Sequence, residues 1–298
     1  MAIAEILPVP FSGFDVPPRQ DIVLSIVIPV YNERETLPRI MRAAMLVAPE
    51  VAKEFVVVDD CSLDGSREWL TNMFPEKCQR VKGVRRDNQG RTEFLSPEAV
   101  CAEPEGSYEL IPGDVTVRPV LHEKNGGKGR ALRTGFATAT GDVIAIQDAD
   151  LEYNPADLAP MLHLIQIGIA DVVYGSRFYG RPHRALYLYH YLGNRTISAL
   201  FNVLFDLTLT DIETGYKMFK REVIEGLCFT SDDFGIEVEL SAAVARAKRW
   251  RIYEIGISYY GRTYVEGKKI GWRDGMKALW YVIKFRFWRN RNAKILPW

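Results

Sequence analysis

The stretch GDVIAIQDADLE, Gly141–Glu152, decides the fold. Val143–Gln147 is a short apolar run without polar alternation, the pattern of a strand buried on both faces. It passes without a linker into Asp148-Ala149-Asp150. Working outward, the same arrangement recurs. Ser25–Val30 (SIVIPV) leads into Tyr31, Asn32 and Glu33, and Phe55–Asp59 (FVVVD) ends in Asp59-Asp60. Arg118–His122 reads as a further strand, and Asp171–Gly175 (DVVYG) as a fifth, followed by Ser176-Arg177. Helical spacing fills the gaps: Leu37, Ile40, Met41 and Ala44 within Glu33–Val47, then Asp64–Met73, the alanine-rich Gly127–Thr140, and Pro155–Ile167 with proline in its first turn. Wholly apolar strands alternating with helices predict an α/β fold. Its sheet is Rossmann-like and mostly parallel, with helices on both faces.

Beyond Gly175 the rhythm changes. Ile197, Leu200, Phe201, Leu204 and Phe205 form one helical face, Gly235–Ala247 a further helix, and Arg251–Ser258 a strand. Met276, Leu279, Trp280, Ile283 and Phe287 make a second apolar stripe on a basic tail, so amphipathic helices are expected at the C-terminal end. Residues 82–116 are polar and turn-rich, too long for an ordinary connection, and read as an excursion with its own hairpin or as a flap. The organisation predicted is an N-terminal arm over 1–21, a catalytic domain over 22–261, and a basic amphipathic segment over 262–298 belonging to the same domain.

The 298 residues carry 38 basic and 38 acidic side chains, a net charge of zero that hides an uneven distribution. From Ala245 onward there are 14 Lys or Arg against three acids, Glu254, Glu266 and Asp274; the residues before hold 24 basic and 35 acidic. Opposite signs in the two parts suggest an anionic partner for the tail. Four scattered cysteines, Cys61, Cys78, Cys101 and Cys228, match neither a zinc site nor a disulfide framework, and reduced thiols in the cytoplasm are expected. The N-terminal stretch is proline-rich and acidic, unlike a signal peptide. The longest uncharged window, Leu158–Ala170, falls short of the ~18–20 apolar residues a span needs, so no transmembrane segment is expected.

Ligands of open parallel sheets bind beyond the carboxyl ends of the strands. Those ends carry Glu33, Asp60, Asp148, Asp150 and Arg177. Two carboxylates at i and i+2 suit a hard divalent cation, Mg²⁺ or Mn²⁺, with room left for phosphate oxygens. Glu152, two residues on, is a third candidate ligand. An isolated pair would more simply be a solvated turn or a helix cap, and it is the shared rim that favours metal. Asn125-Gly126-Gly127-Lys128-Gly129 precedes a helix, where backbone N–H groups attract anions. It is neither a Walker A loop nor a dinucleotide fingerprint.

In order and spacing, IPVYNE (Ile28–Glu33), VVVDDCSLDGS (Val56–Ser66), NGGKGRALRTG (Asn125–Gly135), GDVIAIQDADLE, GSRF (Gly175–Phe178), DIETGYKMF (Asp211–Phe219) and GRTYVEGKKIGW (Gly261–Trp272) resemble the family 2 glycosyltransferases. The resembling branch includes dolichyl-phosphate mannose synthase and related polyprenyl-phosphate hexosyltransferases, and the match runs from Leu24 to about Arg286. The resemblance implies a GT-A fold. It implies that Pro29, Tyr31, Glu33, Val58 and Asp60 hold the base and ribose of a nucleotide-diphosphate sugar (GDP-mannose or a UDP-hexose), with Lys128 and Ala149 also lining that site. Asp148, Asp150 and Glu152 would hold the metal; the family often has Gln at the last position. Arg177 would approach the sugar phosphate, Arg262 and Lys269 (or Lys268) would close on the diphosphate, and Arg195 with Arg184 would take the acceptor phosphate. Asp150, Arg177 and Arg195 are the residues implied at the reaction centre. One departure is Tyr216-Lys217, where the family commonly has Phe-Arg.

A phosphate monoester is already anionic at neutral pH and needs no general base, so direct inverting displacement is expected for a polyprenyl phosphate acceptor. A saccharide or other hydroxyl acceptor would need a base. Glu237 and Glu239 are candidates, against a plainer reading as a solvated helix turn. Leu186–Leu192 and Leu279–Trp288 mix aromatics with apolar and basic residues, suiting an anionic membrane surface or, alternatively, helix packing within the chain or across a homodimer. Peripheral attachment at the cytoplasmic face is the expectation, with no nucleic-acid partner. Two other classes fit less well. A dinucleotide-dependent oxidoreductase would need a glycine fingerprint after the first strand, where PVYNE stands. A non-enzymatic membrane-surface adaptor would have no use for converging acids.

Overall fold

The computed structural model describes residues 18–19, 21–86, 90–102, 107–180, 182–185, 187–263 and 272–287. In chain order the elements are β1 (Val23–Val30), α1 (Leu37–Met45), β2 (Ala52–Asp59), α2 (Ser66–Met73), β3 (Gln79–Arg86), β4 (Thr92–Leu95), α3 (Pro97–Ala102) and β5 (Glu109–Leu121). There follow α4 (Lys128–Thr138), β6 (Val143–Ile146), a 3₁₀ turn at Pro155–Asp157, α5 (Leu158–Gln166), β7 (Val172–Ser176) and α6 (Leu188–Phe205). The last are β8 (Lys217–Lys220), α7 (Arg221–Ile224), α8 (Gly235–Ala247), β9 (Ile252–Gly256) and α9 (Trp272–Phe287). The arm over 1–17 and Lys268 and Lys269 lie outside the described residues.

The strands form one sheet in the order β4-β3-β5-β2-β1-β6-β8-β7-β9. Its centre is parallel: β5 on β2, β2 on β1, and β1 on β6. On one side β3 runs antiparallel to both β5 and β4, so the excursion over 82–116 widens the sheet through its own strands. On the other side β8 runs antiparallel between β6 and β7, and β9 rejoins β7 in parallel. The sheet is therefore mixed, with a parallel core. The β8 strand carries the second half of the DIETGYKMF motif, and four residues are too few to show a period.

Alternate residues of the central strands point to opposite faces, and each face has its own core. Leu24, Ile26 and Ile28 of β1 pack with α1, α2 and α5; Val27 packs on the other side with α4, α6 and α8. The α9 helix joins this second layer through Ala278, Val282 and Phe285. Its aromatics do not point all round. One face is buried against α6 and α8, while Met276, Trp280, Ile283 and Phe287 are exposed.

Asp171, just before β7, ties the three outer strands together. Its buried carboxylate accepts from Lys220 Nζ at 2.7 Å, and from Arg251 N at 2.9 Å, Nε at 2.9 Å and Nη2 at 2.7 Å. The bonds from Arg251 hold its carboxyl well below the usual carboxylate range, against the opposing effect of burial. A group stabilised as its anion contributes fully above its unfolded pKa of about 3.9 and loses that contribution as pH falls through the folded value. Asp171→Ala is expected to cost about 2 kcal/mol in urea denaturation, the low end for a charged network because Arg251 is half exposed. The gap from the wild type is expected to hold at neutral pH and to narrow only below about pH 4.

Candidate active site

The parallel strands β1, β2 and β6 end side by side, which places Glu33, Asp60 and Asp148–Asp150 on one rim. Lys128 opens α4 beneath that rim. Its Nζ lies 2.8 Å from Asp148 Oδ1 and 2.9 Å from Glu237 Oε1, with the Phe234 ring 6.0 Å away. Glu237 in turn meets Lys217 Nζ at 3.0 Å through Oε2. Lys217 is fully buried and also donates to the carbonyls of Ile212 and Thr214. Signs thus alternate inward from the rim: Asp148, Lys128, Glu237, Lys217. Burial works against the charge on Lys128, but Asp148 and Glu237 outweigh it and raise its pKa. Gly215 covers the pair; a Cβ there would stand 2.6 Å from Asp148 Oδ2 and 2.9 Å from Lys128 Nζ.

Beside this pair, Arg262 crosses three more acids. Its Nη2 lies 2.9 Å from Asp150 and 3.2 Å from Glu33, and its Nε 3.5 Å from Glu152. Glu152 also accepts from the Arg262 backbone N–H at 3.0 Å and from the Tyr259 hydroxyl at 3.0 Å. Burial raises the Asp148 carboxyl above its usual range; Lys128 opposes this, and Asp150 and Glu237 add to it. Burial likewise raises Asp150, with Glu152 adding and Arg262 opposing. Among the described residues no three acidic, histidine or cysteine side chains are gathered into a ready metal cluster. The chemistry of the donors nonetheless fits a hard divalent cation. Asp148 and Asp150 are adjacent oxygen donors whose charge is incompletely relieved, while Glu152 is turned toward the 259–262 segment.

Arg177, after β7, makes a bidentate pair with fully buried Asp211, at 2.7 Å through both Nε and Nη2. Its guanidinium also lies 5.3 Å from the Tyr259 ring. Glu254 on β9 accepts from the backbone N–H groups of Thr210 and Asp211, and so holds the loop that presents Asp211. Two residues on, burial pushes the Glu213 carboxyl up to about 7, with Arg177 pulling against it. Arg195 on α6 is exposed and lines a hollow of about 240 Å³ with Ser198, Asn202, Thr208 and Thr210. The Thr210 hydroxyl reaches Ser176 at 2.6 Å, linking that hollow to the Arg177 turn. Arg184 donates to the Gly261 carbonyl at 3.1 Å, next to Arg262.

The remaining residues singled out in the sequence are placed as follows. Asp60 is buried and accepts from Gly126 N at 2.9 Å and Gly127 N at 2.7 Å, with His122 Nδ1 at 2.7 Å. It shapes the glycine loop. Gly127 takes a positive φ of 84° beneath the Asp232 carbonyl, so that glycine is required by chain packing. Val58 and Ala149 are buried in the two core layers; Pro29 is half-buried and Tyr31 is 40% exposed. Neither Glu237 nor Glu239 is a solvated turn. Glu239 is buried and accepts from Thr230 N and Ser231 N, and Glu237 is committed to two lysines. Sequence reasoning missed His122, Asp211, Glu213 and Tyr259. Asp211 and Glu213 sit within a quoted motif, and two acids beside Thr-Gly were the available signal.

The chain is 30% identical over 161 residues to the low-salt glycan biosynthesis hexosyltransferase Agl6 of Haloferax volcanii, covering 52% of this chain and 38% of that protein. It is 27% identical over 247 residues to the undecaprenyl-phosphate 4-deoxy-4-formamido-L-arabinose transferase of Yersinia enterocolitica, covering 82% and 62%. It thus spans less than two thirds of the length of these curated relatives. Among solved structures, glucosyl-3-phosphoglycerate synthase of Mycobacterium tuberculosis, in complex with Mn²⁺, UDP and phosphoglyceric acid, shares the fold at a TM-score of 0.58. The identity is 15%, over 91% of this chain and 81% of that one. A family model, described as glycosyl transferase family 2, matches residues 25–93 and 104–228. Those segments include the acid rim, the Lys128 loop and the Arg177–Asp211 pair, and the chain belongs to glycosyl transferase family 2.

Proposed function

We propose that this glycosyltransferase moves a hexose from a nucleotide-diphosphate sugar to a polyprenyl phosphate, with inversion, at a membrane surface. The observation that carries the reading is the rim on which Asp148 and Asp150 stand beside the cations Lys128 and Arg262. A divalent ion held by Asp148 and Asp150 would neutralise the leaving diphosphate. Lys128, fixed between Asp148 and Glu237, keeps a second positive charge close to that position. Arg177 is locked by Asp211 and supplies an oriented guanidinium. An acceptor phosphate would be drawn by Arg195 in its hollow, with Arg184, bonded to the Gly261 carbonyl next to Arg262, as a further cation. The acceptor oxygen then forms its bond to the anomeric carbon as the bond to the diphosphate breaks, and no proton must be removed from the nucleophile.

The relatives named as undecaprenyl-phosphate transferases support a lipid acceptor. So does the surface. Among the described residues no helix is long and apolar enough to cross a membrane. On α9, however, Met276, Trp280, Ile283 and Phe287 recur on one exposed face. On α6, Leu188, Tyr189, Tyr191 and Leu192 are exposed. With Lys277 and Arg286 beside them, these residues suit peripheral attachment to an anionic leaflet, on the cytoplasmic side where nucleotide sugars are found. A hydroxyl acceptor is the second reading, and the raised carboxyl of Glu213 favours it by offering a base where Glu237 and Glu239 are committed.

Asp150→Asn is expected to abolish the metal-dependent part of UDP or GDP binding in calorimetry while the far-UV spectrum is unchanged. Metal-dependent affinity equal to wild type would remove Asp150 from the metal site. Trp280→Ser with Phe287→Ser is expected to reduce flotation with anionic liposomes about tenfold or more, since both rings are exposed and burying each is worth roughly 1.5–3 kcal/mol. Deleting the whole tail is a poorer test, because Val282 and Phe285 belong to the core. Glu213→Gln separates the two acceptors. With a phosphate acceptor, turnover is expected to stay within a few-fold at all pH values. With a hydroxyl acceptor it would fall by about 10²–10⁴ and lose a rise through pH 7.

A further inference from the structure

Arg262 stands where acids from two separate parts of the rim meet. Glu33 follows β1, and Asp150 and Glu152 follow β6. One nitrogen, Nη2, serves both Asp150 at 2.9 Å and Glu33 at 3.2 Å, while Nε is 3.5 Å from Glu152. A single diffuse positive charge therefore answers three carboxylates. Its backbone is fixed independently of its side chain: Tyr260 N donates to the Glu152 carbonyl at 2.8 Å, and Arg262 N to the Glu152 carboxylate at 3.0 Å. The side chain can thus leave Asp150 without the segment coming away. Lys128 is held differently, in a pocket closed by Gly215, the Phe234 ring and Glu237.

From this arrangement we infer that the Arg262 guanidinium is the resident counter-ion of Asp150, and that a divalent cation binds there only by displacing it, so that Arg262 sets the metal affinity of the site. The inference rests on the reading of Asp148 and Asp150 as metal ligands. The physical basis is competition: the guanidinium nitrogen 2.9 Å from Asp150 Oδ2 and a metal ion drawn to the same carboxylate repel each other as like charges, and of the two cations at the rim Arg262 is the one whose side chain is not enclosed. Removing the competitor leaves the carboxylates crowded and strengthens the pull on a metal. Shortening it to lysine keeps a charge but loses the planar fork that spans several acids.

The test is a Mn²⁺ titration of the full chain without nucleotide, followed by calorimetry and by the electron paramagnetic resonance signal of free Mn²⁺. Wild type, Arg262→Gln, Arg262→Lys and Asp150→Asn are compared. Arg262→Gln is expected to bind Mn²⁺ about tenfold more tightly than wild type, Arg262→Lys to fall between them, and Asp150→Asn to lose the site. The rise in melting temperature on adding Mn²⁺ is expected to be larger for Arg262→Gln than for wild type. Equal or weaker binding by Arg262→Gln, where wild type binds and Asp150→Asn does not, overturns the displacement and leaves the metal reading standing. Undiminished binding by Asp150→Asn, or no binding by wild type and Arg262→Gln alike, overturns both.

Discussion

Repulsion among four carboxylates governs this molecule's working end. Parallel pairing of β1 and β6 brings Glu33 beside Asp148, Asp150 and Glu152, and nothing in that pairing supplies a cation. Two like charges about 4 Å apart cost on the order of 4 kcal/mol at the effective dielectric of a partly buried site. The chain answers with Lys128 from the start of α4 and Arg262 from beyond β9, which are 134 positions apart in the sequence. Burial raises the carboxyls of Asp148 and Asp150, the neighbouring acids add to that, and Lys128 and Arg262 pull against it. A rim of hard oxygen donors with one fixed ammonium and one less enclosed guanidinium suits both a metal ion and the polyanion that accompanies it.

The charges behind the rim serve the same constraint. Glu237 alone could not be buried beside Asp148 without adding to the repulsion, and Lys217 behind it makes its burial tolerable. Burial lowers the pKa of Lys217, while Glu237 opposes that shift. Two backbone carbonyls, of Ile212 and Thr214, take its remaining protons. Where the family commonly has arginine, a lysine serves here because its compact ammonium fits this three-acceptor cage. The Arg177–Asp211 pair is a separate lock. Asp211 is fully buried, Arg177 is partly buried, and the bidentate pair has little freedom to exchange partners.

Much of this was legible in the sequence because its signals are local. Apolar runs ending in acids placed β1, β2 and β6, a similar run ending in Ser176-Arg177 placed β7, and the direction of each strand put Asp148 and Asp150 on one rim with Glu33. What escaped depends on long-range pairing. The four residues of β8 have no period of their own and become a strand only between β6 and β7. The partners of Asp60 were likewise invisible in the sequence. Its carboxylate closes on Gly126 and Gly127, contacts across 66 and 67 residues that only the folded loop creates. Glu237 and Glu239 looked solvated because a helix start is usually exposed. Here α8 begins against α4, where Lys128 and the 230–231 segment claim both acids.

The net charge of zero follows from the same logic. The basic excess after Ala245 reads as a patch awaiting an outside anion, yet the fold spends part of it internally. Arg251 binds Asp171, and Arg262 binds the rim, so acids from the earlier part of the chain are neutralised by bases from the later part. On α9 the division is finer still. Lys284 lies 5.4 Å from the Tyr281 ring and 5.1 Å from the Phe285 ring, and Arg286 reaches toward Phe205 at 5.9 Å. These cations are laid over aromatic faces, beside an exposed stripe that begins at Met276 and ends at Phe287. A helix that is core on one side and apolar-basic on the other can hold the acid rim at a fixed attitude to whatever that outer face meets, because Val282 and Phe285 tie it to the layer that also contains α4.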